Sequence, residues 1–152
     1  MPTDRRNRGK IGRPGLWAAV LVFGGGAGSG IASSNEVALG HALFSGARPL
    51  AAHVAGQDFT LPQDAATCAN CHQSDPASGP PQSFGPPLTR PTLTRALARR
   101  GGPRSTYDGV TLCRALRDGI DPALVIIPQT MPRYAFTDQQ CQALWAFLST
   151  RS

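Results

Sequence analysis

Beyond residue 10 this 152-residue chain contains no lysine, and after Met1 it contains one methionine, Met131. Its four cysteines include one close pair, Cys68 and Cys71, while Cys113 and Cys141 stand apart. The lack of a second close pair argues against a zinc knuckle, which needs four thiolate or imidazole ligands. His41 and His53 form no paired motif either. No βαβ pattern surrounds residue 68, so a thioredoxin-like dithiol lacks its context. No internal repeat is present. Long hydrophobic runs are also missing: Leu16 to Ala32 spans 17 residues, five of them glycine. That is the lower limit for crossing a bilayer, and the glycines weaken it as a helix.

What is present is Cys68-Ala69-Asn70-Cys71-His72, a C-x-x-C-H signature. Cysteines at i and i+3 lie on one helical turn and can add to the two vinyl groups of a haem as thioethers. The adjoining histidine then stands beneath the iron as its proximal ligand, so the spacing reads as c-type haem attachment. The expected cofactor is one covalent haem c, bonded to Cys68 and Cys71, with His72 on the iron.

Residues 1–32 read as a targeting segment. Arg5, Arg6, Arg8, Lys10 and Arg13 form a basic start, and Leu16 to Phe23 an apolar core. Gly30-Ile31-Ala32 suits a signal-peptidase cut after Ala32. An uncleaved anchor is the alternative, and only then is the protein held at a membrane. Residues 33–152 form the mature domain, expected in the periplasm. The segment carries five of the fifteen basic residues and one of the nine acidic ones, which leaves ten arginines against eight acids. The high overall pI therefore gives no ground for nucleic-acid binding. About 120 residues remain, a common size for one core.

Within that domain, Asn35 to Ser45 reads as the first helix, with Val37, Leu39, Leu43 and Phe44 inward and Asn35 or Ser34 as its cap. Gly40 inside it suggests close approach of another helix. Residues 46–67 form a connector with a short extended excursion or hairpin. Cys68 to His72 is a helical turn, and Gln73 to Pro91 a Pro/Gly/Ser-rich loop that wraps something other than its own core. Asp108 to Asp118 is the next helix, with Val110, Leu112, Cys113, Leu116 and Ile120 on its buried side and Gly119 as its stop. An irregular loop, Asp121 to Tyr134, leads to a last helix opened by a T-x-x-Q capping box at Thr137 and Gln140. Its apolar stripe is Cys141, Leu144, Trp145 and Leu148.

From Asn35 to its end the chain resembles a class I monohaem c-type cytochrome of the bacterial, exported kind. The resemblance rests on the first helix with Gly40 and Phe44, Cys68-x-x-Cys71-His72, Gly85-Pro86-Pro87-Leu88, Met131-Pro132, and a last helix with an aromatic at Trp145. It implies an all-α fold, a few helices wrapped around one covalently bound haem. The first and last helices are expected to cross near a glycine, giving Gly40 and Trp145 structural roles. By the same resemblance, the backbone carbonyl of Pro86 receives the second ring N–H of His72, with Gly79-Pro80-Pro81 competing. The connector is longer than in minimal members, which makes it a candidate for partner-specific function.

In such sites the sixth position of the iron takes a methionine sulfur or histidine nitrogen, and occasionally a lysine. The mature chain offers no lysine, one methionine, and the spare histidines His41 and His53. Met131, 59 residues after His72, matches the family's distal position. A methionine that merely fills a core gap is the other reading, and His53 is the better spare ligand. His/Met ligation raises the reduction potential and closes the iron to substrates. Tyr107, Tyr134, Trp145 and several arginines are available to hold the propionates.

Cys113 and Cys141, an even remainder in an exported protein, suggest a disulfide; two buried free thiols are the alternative. If bonded, they enclose the Met131 loop and hold it toward the iron. Arg90, Arg95, Arg99, Arg100 and Arg104 fall in a stretch without acids. They form either a docking face for an acidic redox partner or a solvated loop. The combined expectation is a periplasmic carrier of single electrons between redox proteins, such as a donor dehydrogenase and an acceptor oxidase, with no catalytic residues of its own. The rivals are a five-coordinate haem protein that binds gases or peroxide, and a fixed cytochrome subunit of a larger redox enzyme.

Overall fold

The computed structural model describes Met1, residues 32–72 and residues 85–152. The chain divides into two units, Met1–Gly30 and Ile31–Ser152, and every described element belongs to the second. The expected targeting segment lies outside the described residues apart from Met1 and Ala32, as do Gly79, Pro80 and Pro81. Among the described residues no helix is long and apolar enough to cross a membrane.

Three helices carry the core. Helix α1, Ser34–Ser45, begins one residue before its expected start. Ser33 is its cap, with its hydroxyl accepting the Glu36 N–H while Glu36 takes the N–H of Ser33. Gly46, in a left-handed conformation, ends it. Its partners, numbered in chain order among the described residues, are α5, Gly109–Asp118, and α6, Asp138–Leu148. Asp108 caps α5 through the Thr111 N–H, and Gly119 with φ +68° closes it. Thr137 caps α6 in a reciprocal box with Gln140.

Leu43, Leu144 and Leu148 are completely buried where α1 meets α6, and Phe44, Leu112 and Leu116 continue that core. Gly40 decides how close the two helices come. A Cβ there would sit 2.0 Å from the carbonyl oxygen of Ala143 and 2.6 Å from the Cβ of Phe147. The aromatic at the crossing is therefore Phe147, which meets Phe44 and the ring of His41. Trp145 instead faces Gly109 of α5, a correction to its expected role. Val110 is also not on the buried side: it is 79% exposed. At 100° per residue it lies outside the sector shared by Leu112, Cys113, Ala115 and Leu116. Cys113 and Cys141 are disulfide-bonded, joining α5 to α6.

The remaining elements are short. The connector forms β1, Ala52–His53, and α2, Gln63–Ala66, followed by the single turn α3, Cys68–Cys71. Strand β1 pairs antiparallel with β4, Arg133–Tyr134, with Ala52 opposite Tyr134 and His53 opposite Arg133. His53 also bridges Thr60, so the connector folds back on itself. The basic segment is no plain loop. It forms α4, Arg90–Thr94, capped by Thr89, and then an antiparallel ladder of β2, Leu97–Ala98, with β3, Arg104–Ser105. This also shortens the expected Gln73–Pro91 loop.

Candidate haem site

The C-x-x-C-H residues sit on α3, steadied from α2. The Thr67 hydroxyl donates to the Gln63 carbonyl at 2.9 Å, and the Asn70 amide donates to the Asp64 carbonyl at 2.7 Å. Cys68 and Cys71 remain separate thiols, the first buried and the second half-buried. Burial pushes the Cys68 thiol up to about 11, outweighing its interaction with the Tyr134 hydroxyl. His72 follows at the end of the turn, its N–H returning to the Cys68 carbonyl.

The imidazole is fixed from one side. Nδ1 of His72 lies 2.7 Å from the carbonyl oxygen of Pro86. A carbonyl only accepts, so Nδ1 carries the proton and Nε2 keeps its lone pair. Gly85 makes the approach possible, because a Cβ there would sit 2.4 Å from Cε1 of the ring. Burial lowers the His72 pKa; the Pro86 carbonyl opposes this and the Arg151 charge adds to it. The ring is thus neutral at pH 7, the form that binds a metal.

Met131 comes from the loop between α5 and β4. Its N–H donates to the Pro128 carbonyl at 3.1 Å, and its own carbonyl accepts from Nη1 of Arg133 at 2.7 Å. Both backbone polar groups of this residue are therefore held. The strand that follows is tied down by β1 and by the Tyr134 hydroxyl, which donates to the Ala66 carbonyl at 3.0 Å. Ala66 directly precedes the Thr67-Cys68 step, so one connector braces both the haem motif and the methionine loop.

These residues converge on one cavity. About 490 Å³ in volume, it is lined by Cys68, Cys71, His72 and Met131 together with Leu88, Leu93, Leu112, Ile127 and other apolar side chains. Cofactor sites commonly fall between ~300 and 1,000 Å³. Arg99, Arg100, Tyr107 and Tyr134 are among the polar residues of the wall. A haem is a large apolar plane with two carboxylates, and an apolar chamber with arginines on its wall fits both parts. The two thiols and the neutral imidazole supply the donors that such a group requires.

A family model described as Cytochrome c matches residues 61–152. The chain belongs to the cytochrome c family. No curated protein matches the chain, and no solved structure does. The mostly helical architecture is that of a cytochrome c-like fold, and family membership implies covalently bound haem c and haem-based electron transfer. The match begins at Leu61, so the part of the connector bearing β1 precedes the cytochrome c region.

Other residues considered from sequence take different places. His41 is exposed against Phe147, and His53 is exposed on β1; neither lines the cavity. Tyr134 lines the cavity with its hydroxyl on the Ala66 carbonyl, Trp145 lies beside Gly109 and outside the lining, and Tyr107 stands at the wall with Arg99 and Arg100. Two residues escaped sequence reasoning. Asp121 is fully buried, with one oxygen accepting the N–H groups of Ala123 and Val125 and the other paired with Arg100. Arg133 is 5% exposed. Charged residues in an irregular loop read as solvated, and no local pattern in the sequence says otherwise.

Proposed function

We propose that this protein is an exported, monohaem electron carrier with its haem bonded to Cys68 and Cys71 and its iron held between His72 and Met131. The observation that carries the reading is the shared cavity, lined by the mature chain's one methionine and by a histidine whose Nδ1 is already engaged by Pro86. When bound, the haem supplies a one-electron ferric–ferrous couple. The chain's own work is to keep Nδ1 of His72 protonated toward Pro86, to hold the Met131 backbone, and to exclude water with the apolar wall. A thioether favours ferrous iron and leaves no open position, so the protein passes electrons and transforms no substrate.

The expected location is the periplasm after a cut behind Ala32, and the partners are redox proteins that give and take single electrons. Arg90, Arg95 and Arg104 are exposed and supply a positive face for an acidic partner, whose encounter weakens with salt. Arg99 and Arg100 contribute less to that face. The guanidinium of Arg99 donates to the carbonyls of Leu97, Thr92 and Ser105, and Arg100 is paired with Asp121.

The absorption spectrum of the haem-loaded protein tests the ligation. A near-red sulfur-to-iron band in the ferric form, and a ferrous spectrum unmoved by carbon monoxide, are expected. Met131→Ala should lose the band, bind carbon monoxide and lower the midpoint potential. Prompt carbon monoxide binding by the unsubstituted protein would replace the carrier by a ligand-binding haem protein.

A further inference from the structure

Arg133 is buried in an unusual way. Only 5% of it reaches solvent, and among the described residues no carboxylate pairs with it. Its guanidinium donates to two backbone carbonyls: Nη1 to that of Met131 at 2.7 Å and Nη2 to that of Ile127 at 2.8 Å. Those carbonyls flank the turn in which the Met131 N–H returns to Pro128. The space for the guanidinium comes from α5. A Cβ on Gly119 would stand 2.1 Å from Cζ of Arg133, so any other residue at 119 would occupy the site of the charge. The same glycine, at φ +68°, ends α5. In the β1–β4 ladder the backbone of His53 stands opposite that of Arg133.

A buried cation without a counter-ion is unfavourable unless its hydrogen bonds are complete and something gains from the charge. Packing alone would be served better by an apolar side chain. The carbonyls it holds belong to the one turn that presents Met131 to the cavity. Both Ile127 and Met131 line that cavity.

We propose that Arg133 is a positioning residue for the sixth ligand, and that its fixed positive charge biases the couple toward the reduced state. This rests on the His/Met reading above. The two hydrogen bonds hold the turn so that the Met131 thioether is presented in one orientation. Reduction removes one unit of positive charge from the iron, so a permanent cation in the methionine loop favours the ferrous form. Arg133 stays charged at neutral pH, although burial lowers its pKa.

The test uses the haem-loaded protein with Arg133→Gln and Arg133→Lys. The readouts are the ferric near-red band, ferrous carbon monoxide binding and the midpoint potential. Arg133→Gln should lower the potential, lose the band at a lower temperature, and bind carbon monoxide roughly tenfold faster or more, as loss of a charge-assisted hydrogen bond implies. Arg133→Lys restores the charge with a different donor geometry. It should recover most of the potential while the band stays thermally weaker than in the parent. A parental band and potential in Arg133→Gln would overturn the proposal. So would a Lys variant that recovers neither, since that result means the side chain is only packing. If Arg133→Gln does not take up haem, the guanidinium protons of the parent decide: slow exchange and a shift on reduction support the proposal, and exchange at the solvent rate overturns it. A parent protein that lacks the band fails the His/Met reading itself, before Arg133 is tested.

Discussion

At the scale of single residues, burial and hydrogen bonds shift titrating groups in opposite senses. His72 is kept neutral by burial while Pro86 orients it. Asp108 shows the opposite case. Hydrogen bonds from Thr111, the backbone N–H first, hold its carboxyl below the ordinary 3.8. A carboxyl lowered on folding stabilises the fold fully above the unfolded value, and that contribution disappears as pH falls through the folded one. Denaturant unfolding followed from pH 5 down to about 2 should show this acid loss in the parent and a shallower one in Asp108→Asn, whose side chain still caps α5. Asp108→Ala removes the cap outright and should lower stability by about 1 kcal/mol at neutral pH. The sequence reading placed Asp108 inside the helix; the structure makes it the cap, bonded to Thr111 three residues on. The equivalent signal at α1 is Ser33 followed by Glu36, but Ser34 and Asn35 are capping residues too and compete with it.

At the scale of elements, the contact between α1 and α6 has the least tolerance. Gly40→Ala would drive a methyl group into the Ala143 carbonyl at 2.0 Å, and backbone cannot yield as a flexible side chain can. Over-packing of this kind typically costs about 1–3 kcal/mol, and the upper end is expected here, read as a lowered denaturation midpoint. The haem spectrum at low temperature should be unchanged, because Gly40 does not line the cavity. A glycine in a helix announces close approach without naming the partner. Sequence pointed to Trp145, and the structure gives Ala143 and Phe147. The connector was the element least legible from sequence. Two residues of strand, Ala52 and His53, cannot be recognised by alternation, and they become a strand only because Arg133 and Tyr134 lie alongside. Its role is structural first, since it ties the residues before Cys68 to the strand after Met131.

At the scale of the whole molecule, the disulfide ties the two ends of the methionine loop to the helical core. Cys113 and Cys141, 28 positions apart, bracket Ile127, Met131 and Arg133. Loop-closure entropy for a span of that length stabilises by roughly 3–4 kcal/mol. Replacing both cysteines by alanine should lower the unfolding free energy by roughly that amount, measured in denaturant. The ferric near-red band should then be lost at a lower temperature than in the parent, before the helices melt, because the loop loses its tether first. A band that persists until global unfolding would mean that Arg133 and the β1–β4 ladder hold the loop without the bridge.

The sequence alone determined the chemistry that depends on near neighbours. C-x-x-C-H on one turn, the capping box of α6, and the glycine that stops α5 are set by interactions three or four residues long, and they read directly from the chain. Only the tertiary structure decided what depends on distant segments. It brought Met131 into the cavity with His72 and buried Asp121 and Arg133 in a loop that looks solvated. It also engaged two of the five clustered arginines internally and turned a connector into a brace. Burial of a charge depends on which partners arrive from elsewhere in the chain, and desolvation leaves no local pattern.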